Sequence, residues 1–157
     1  MAVSNTWIAG VSLPKPAADW ADRSLIAFAA PQQDGGLPAN TTVSRDERRS
    51  PQDPPGESFA DYAVRQGQVL AANLPGFQAR TPTPLDGHMP GVADTLFSWR
   101  SGAISLTQWV VWMALPDNTV LSFTATAESS QFESHLALFD ATLRSIHIEP
   151  SAFPAAT

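Results

Sequence analysis

Residues 105–115 read SLTQWVVWMAL. In an extended chain, side chains alternate, placing Leu106, Gln108, Val110 and Trp112 on one face and Thr107, Trp109, Val111 and Met113 on the other. A strand with one solvated face alternates apolar and polar positions. This one is apolar on both faces, with an uncharged glutamine left among the oil. It needs cover on two sides.

The rest of the pattern supplies candidates for that cover. TWIAGVSL (6–13) reads as one short strand ending at Pro14, SLIAFAA (24–30) as a second, and β-branched NTTVSRD (40–46) as a third. The segments between them are turn-rich in Pro and Gly. Ser58 and Asp61 have the spacing of a capping box. The helix that follows carries Phe59, Tyr62, Ala63, Gln66, Leu70 and Leu74 on one stripe and stops at Asn73-Leu74-Pro75-Gly76. Gly67 in its interior costs about 1 kcal/mol against alanine, which points to a close approach there. FQARTPTPL is an edge strand interrupted by proline. Strands at 91–100, 103–115 and 119–127 follow, joined by SG and PDN turns. Ser130 and Glu133 offer a second capping box ahead of Phe132, Leu136, Phe139 and Leu143, an amphipathic helix. The order predicts an α+β fold: an antiparallel sheet with two main helices packed on it. One face of the long strand falls to the C-terminal helix. The other is left to the first helix, to a second subunit or to a client.

Length and composition narrow this further. A chain of 157 residues favours one domain, here 1–149, with 150–157 as a flexible C-terminal tail. Charged residues make up only 15%, against about 25% in an ordinary domain, so such a chain covers itself with something other than charge or hides part of its surface in a partner. The net charge of −6 argues against nucleic acid. Its one basic cluster, Arg45, Arg48 and Arg49, is interleaved with Asp46 and Glu47 and reads as a solvated loop. There is no cysteine, hence no disulfide and no thiolate chemistry. No signal peptide is expected, and the longest apolar run, 109–115, is far short of the roughly 20 residues that span a bilayer. A cytoplasmic protein is expected.

Chemistry is sparse. His88 sits in DGHMPG beside Asp86, His135 falls between core positions and is expected at the surface, and His147 follows Ile146. No HExxH, GxSxG, Walker or GxGxxG pattern occurs, and no histidines have metal spacing. The carboxylates read as turn and helix-start residues, explained by capping. Neither a metal nor another cofactor is expected, and binding is favoured over catalysis. The two amides raise the remaining question: Gln66 and Gln108 sit in apolar settings, where an unpartnered amide costs about 1–3 kcal/mol. They bond each other or the backbone, or stand as donors for a client.

WADRSLIAF (20–28), TTVSRD (41–46), GESFADYAVRQ (56–66), LPGF (74–77), LFSWR (96–100), LTQWV (106–110) and VLSFTAT (120–126) together resemble the DcrB-like family of PsbP-like fold. Within that family the chain looks most like the Eag-type chaperones of bacterial type VI secretion. The ordered set covers most of 20–145, and DYxxRQ followed by LPGF is its most specific part. The resemblance implies a cytoplasmic homodimer with curved sheets and no catalysis. Such a dimer holds the N-terminal transmembrane helices of an effector carrying a spike-tip (PAAR) domain, before the effector is loaded on the secretion spike. It also implies a client groove made of Leu25, Ala27, Thr42, Ser44, Gln66, Leu70, Leu74, Ile104 and Gln108. Strand and helix parity puts the strand residues on shared faces, leaving Trp109 and Val111 toward the core. The chain departs from the family pattern in a 31–56 region rich in Pro, Gln and Gly, and in Ala27 and Thr42, which are small or polar. The rival reading is a non-catalytic binder of a small apolar ligand. The family's lipoprotein branch needs a leader and an acylated cysteine, and a hydrolase needs His88 or His135 beside a nucleophile.

Overall fold

The structure is a computed structural model that describes residues 5–8, 11–14, 25–31, 36–49, 56–85, 89–116 and 118–148. His88, Asp86 and the tail 150–157 lie outside the described residues. The elements run in the order β1 (Asn5–Ile8), β2 (Val11–Pro14), β3 (Leu25–Ala29), β4 (Asn40–Glu47), α1 (Phe59–Asn73), β5 (Gln78–Arg80), β6 (Val92–Ser101), β7 (Ile104–Ala114), β8 (Thr119–Glu128) and α2 (Phe132–Arg144). The segment read as one strand over 6–13 is two strands, paired antiparallel from Asn5↔Pro14 to Ile8↔Val11. The other strands form one six-stranded antiparallel sheet in the order β3-β4-β8-β7-β6-β5.

The β6-β7-β8 meander follows from local chemistry. Ser101 faces Ile104 across a turn in which Gly102 takes φ +61°, a left-handed conformation that glycine adopts without steric cost. At the next turn Asn118 takes φ 59°, a left-handed conformation that asparagine adopts more readily than most residues. β4 then adds to the far side of β8 over Asn40↔Thr126 to Glu47↔Thr119. The strand read over 40–46 is thus β4, extended to Glu47, and Arg45, Asp46 and Glu47 lie in it rather than in the solvated loop that the basic cluster suggested.

Both faces of the sheet are covered by helix, giving three layers. Beneath α2, Leu96, Trp109, Val111, Phe123 and Ala125 pack with Phe132 and Phe139, and Leu136 and Leu143 complete the stripe. Beneath α1, Tyr62 packs with Phe97, Val110, Trp112 and Val120, and Phe59, Ala63, Leu70 and Leu74 join from the helix. The doubly apolar β7 is thus explained within one chain: Trp109 and Val111 serve one core, Val110 and Trp112 the other. Each fully buried large side chain contributes roughly 1.5–3 kcal/mol.

The caps differ from one another. Ser58 caps α1, its Oγ accepting from the Asp61 N–H at 3.0 Å, while the Ser58 hydroxyl donates to Asp61 Oδ2 at 2.7 Å. The second capping box does not form. The Gln131 N–H closes a turn onto the Glu128 carbonyl at 2.8 Å, which makes Gln131 the cap of α2, without a side-chain bond. Glu133 instead lies 4.0 Å from Arg80. Nor does anything approach Gly67: a Cβ placed there meets no atom within 4 Å.

Candidate functional site

The sheet's register decides which side chains share a face, because residues directly opposite in an antiparallel pair point the same way. Leu25 faces Ser44, which faces Ser122, which faces Trp112. One row on, Ala27, Thr42, Thr124 and Val110 line up, and in the next Ala29, Asn40, Thr126, Gln108 and Phe97. All these rows face α1. The six strand positions assigned to a client groove, Leu25, Ala27, Thr42, Ser44, Ile104 and Gln108, therefore share one face. They are not all neighbours. Ile104 lies four residues beyond Gln108, roughly 13 Å along β7, opposite Ser101 at the hairpin end.

α1 crosses this face obliquely. Its first half lies over the end of β4, where Asp46 Oδ2 accepts from the Tyr62 hydroxyl at 2.9 Å and from Gln66 Nε2 at 3.4 Å. It leaves beside β6, where the Arg100 N–H donates to the Pro75 carbonyl at 2.8 Å. Leu70 and Leu74 are half-buried against the cluster beneath the helix. The corner that α1 does not cross, made by β3, the first half of β4 and the last half of β8, carries exposed Ala27 and half-exposed Thr42 and Thr124. Leu25 at its edge is 50% exposed.

The two amides bond neither each other nor the backbone. Gln66 reaches Asp46, and Gln108 Nε2 donates to the Thr126 hydroxyl directly across the strand pair at 3.0 Å. An amide offers two donor hydrogens and an acceptor oxygen, and each uses one donor here.

A charged cluster anchors the entry to α1. The Arg65 guanidinium bonds both oxygens of the Glu57 carboxylate, Nη2 to Oε2 at 3.0 Å, and the Arg49 N–H donates to the same carboxylate at 2.9 Å. The Arg65 bonds above all hold the Glu57 carboxyl down at about 2, against the opposing effect of burial. Arg65 also lies 5.3 Å from the centre of the Tyr62 ring. Burial, and then the bond to Asp46, push the Tyr62 hydroxyl well above the usual phenol range, so it stays a donor.

Asp46 and Asp94 are among the carboxylates that lie in strands, not in turns or at helix starts. Asp94 lies in β6, where Oδ2 accepts from Trp109 Nε1 at 2.9 Å and from the Leu85 N–H at 3.1 Å, and Oδ1 accepts from Thr83 at 2.8 Å. Asp94 carries a signal, an acid inside the strand-forming run VADTLF, whereas Asp46, between Arg45 and Glu47, carries none. His135 is half-buried: its ring stacks on Phe139 at 5.8 Å, and Nδ1 lies 3.0 Å from the Gln131 carbonyl. Among the described residues, no group of three or more His, Cys, Asp or Glu is placed to hold a metal ion, and no helix is long and apolar enough to cross a membrane.

Over 94% of its length the chain superposes on 98% of the Pseudomonas aeruginosa protein PA94, whose own function is unknown, with a TM-score of 0.71 and 25% identity. It is also similar to LpqN of Mycobacterium tuberculosis, involved in cell envelope biogenesis, at 17% identity and a TM-score of 0.45, with 80% of this chain and 82% of that one covered. Cyanobacterial PsbP from Synechocystis sp. PCC 6803 gives 15% identity and a TM-score of 0.40, again with 80% and 82% covered. No curated protein matches the sequence. The family model of DcrB matches residues 11–145, nearly the whole chain, and the protein belongs to the DcrB family.

Proposed function

We propose that the chain is a cytoplasmic, non-catalytic chaperone that works as a homodimer. It holds the N-terminal transmembrane helices of a type VI secretion effector with a PAAR domain until the effector is loaded on the secretion spike. The observation that carries the reading is the composition of the corner beside α1. Leu25 and Ala27 offer open apolar surface, and Thr42, Ser44, Thr124 and Gln108 offer short polar groups on the same face. Transmembrane helices pack on one another through small residues and occasional side-chain hydrogen bonds. A surface of alanine, serine, threonine and one leucine suits that packing better than a uniformly oily one. The family segments quoted from the sequence support the same reading.

Part of the apolar face is already occupied by α1, so the client surface is narrower than the sequence pattern suggested. One protomer provides a flank rather than a closed groove. Two protomers facing one another enclose a helix, which makes the dimer part of the proposal.

The test is co-expression with the N-terminal fragment of an effector bearing such helices, followed by affinity purification without detergent. The fragment is expected to emerge soluble and bound. Gln108→Ala is expected to lower its recovery about tenfold, equivalent to about 1.4 kcal/mol, with an unchanged circular dichroism melt. A fragment that precipitates while this protein remains free overturns the reading. Light scattering at micromolar concentration is expected to give twice the chain mass, and a monomer there removes the enclosing surface.

A further inference from the structure

The face opposite α1 has an opening of its own. Past the end of α2, the corner made by β3, β4 and β8 is roofed by residues 145–148, and a cavity of 530 Å³ lies between them. Its walls include Ile26, Phe28, Val43, Leu121 and Ile146. A second cavity of 220 Å³ shares Phe28, Thr41 and Thr142 with the first and continues along α2 to Leu138. The opening is rimmed by large apolar side chains: Ile26 is 49% exposed, Phe28 69%. Singly scattered apolar residues are ordinary on a surface, but several gathered around one cavity mark a binding site.

One guanidinium is built into these walls, with His147 also among the lining residues. Arg45 lines the cavity, and its Nη2 donates to the Thr119 hydroxyl at 3.3 Å. Thr119 is itself only 1% exposed, so a buried group positions the guanidinium at the cavity. Glu47 follows Arg45 on the same face of β4 but does not line the cavity. An apolar cleft with one placed charged group is the usual make-up of a small-molecule site, and 530 Å³ falls within the usual range of about 300–1,000 Å³. The volume also limits what fits. An α-helix with its side chains is about 10–12 Å across, so a space this size holds about one turn. An alkyl chain fits along the two joined cavities, and the planar guanidinium fork matches a carboxylate.

We propose that this cavity binds an aliphatic monocarboxylate, its chain laid among Ile26, Phe28, Val43, Leu121 and Ile146 and its carboxylate on Arg45. The site lies across the sheet from the client surface and stands whether or not the chaperone reading does.

The test is calorimetric titration of the full chain with sodium octanoate, decanoate and dodecanoate, each below its micelle concentration, with methyl decanoate as the uncharged control. Binding of one molecule per chain is expected, tighter by about fourfold for each added methylene until the cavity is full. Arg45→Gln is expected to weaken decanoate at least tenfold and to leave the ester unchanged. Because Arg45 is exposed, that variant should keep the wild-type melting curve. Ile26→Glu, at the exposed rim, is expected to abolish binding of acid and ester alike. The proposal is overturned if the folded protein binds none of the acids, if it binds the ester as tightly as decanoate, or if Arg45→Gln binds decanoate as wild type does.

Discussion

Asp94 carries more of the fold than its position in the sequence suggests. It ties the indole of fully buried Trp109, the Thr83 hydroxyl and the Leu85 N–H to one carboxylate, pinning the segment after β5 against the sheet. Removing the acceptor leaves a buried indole N–H unpaired, at a cost of about 1–3 kcal/mol. Asp94→Ala is therefore expected to lower stability by about 2 kcal/mol or more in urea unfolding, and a loss below about 0.5 kcal/mol would show that the indole finds another acceptor. Gly67 is the opposite case. A Cβ there meets nothing and the residue lies in the interior of α1, so Gly67→Ala should raise stability by about 0.5–1 kcal/mol, chiefly by restricting the unfolded chain. An unchanged urea midpoint would mean that the helix frays around this position in the native state.

At the scale of elements, the two sheet edges differ. β5 is three residues long, contains Arg80 and is followed by Pro82 and Pro84, the usual protections of an edge. β3 reads LIAFA with no charge or proline, and every residue of it is exposed. Its odd and even positions serve different faces, Leu25 and Ala27 toward α1, Ile26 and Phe28 toward the cavity beside α2. Neighbouring substitutions are therefore expected to separate two binding activities. Leu25→Lys should lose the effector fragment and keep decanoate, while Ile26→Lys should do the reverse, with both within about 0.5 kcal/mol of wild-type stability because both sites are exposed. Loss of both ligands in either variant would mean that the strand itself had come loose. Much of this was legible beforehand. The stripes of both helices, the meander and the alternation in β7 follow from periodicity, and parity alone places Leu25, Ala27 and Gln108 with their partners. The cavity was not legible, because it is formed by β4, β8 and the segment after α2, which periodicity cannot bring together. Nor was the division of 6–13 into two strands, since the alternation runs through both. Arg45 fell within the strand read over 40–46, but grouping it with Arg48 and Arg49 as a solvated cluster hid what it faces.

At the scale of the molecule, acid should loosen the attachment of α1. The Glu57 carboxyl is held at about 2, against 4.5 for the unperturbed group, chiefly by Arg65. A depressed carboxylate contributes stability that is complete above its unfolded value and is lost as the pH falls through the folded one. Unfolding free energy is thus expected to decline between pH 4.5 and 2, and Glu57→Gln should be less stable at neutral pH and flatten that decline. An unaltered slope in the variant would assign it to other carboxylates. The order of the strands in the sheet also matters during synthesis. β6, β7 and β8 assemble from neighbours in the chain, but β3 and β4, made early, join the sheet only through β8. Pairings between distant parts of a chain are slow to form and leave strands unpaired until they do. On the ribosome, the Leu25–Thr42 corner and the Arg45 cavity have no third wall until Thr119–Glu128 has left the exit tunnel. Neither surface can take a ligand before then, so translation itself withholds binding until the sheet is ready to close.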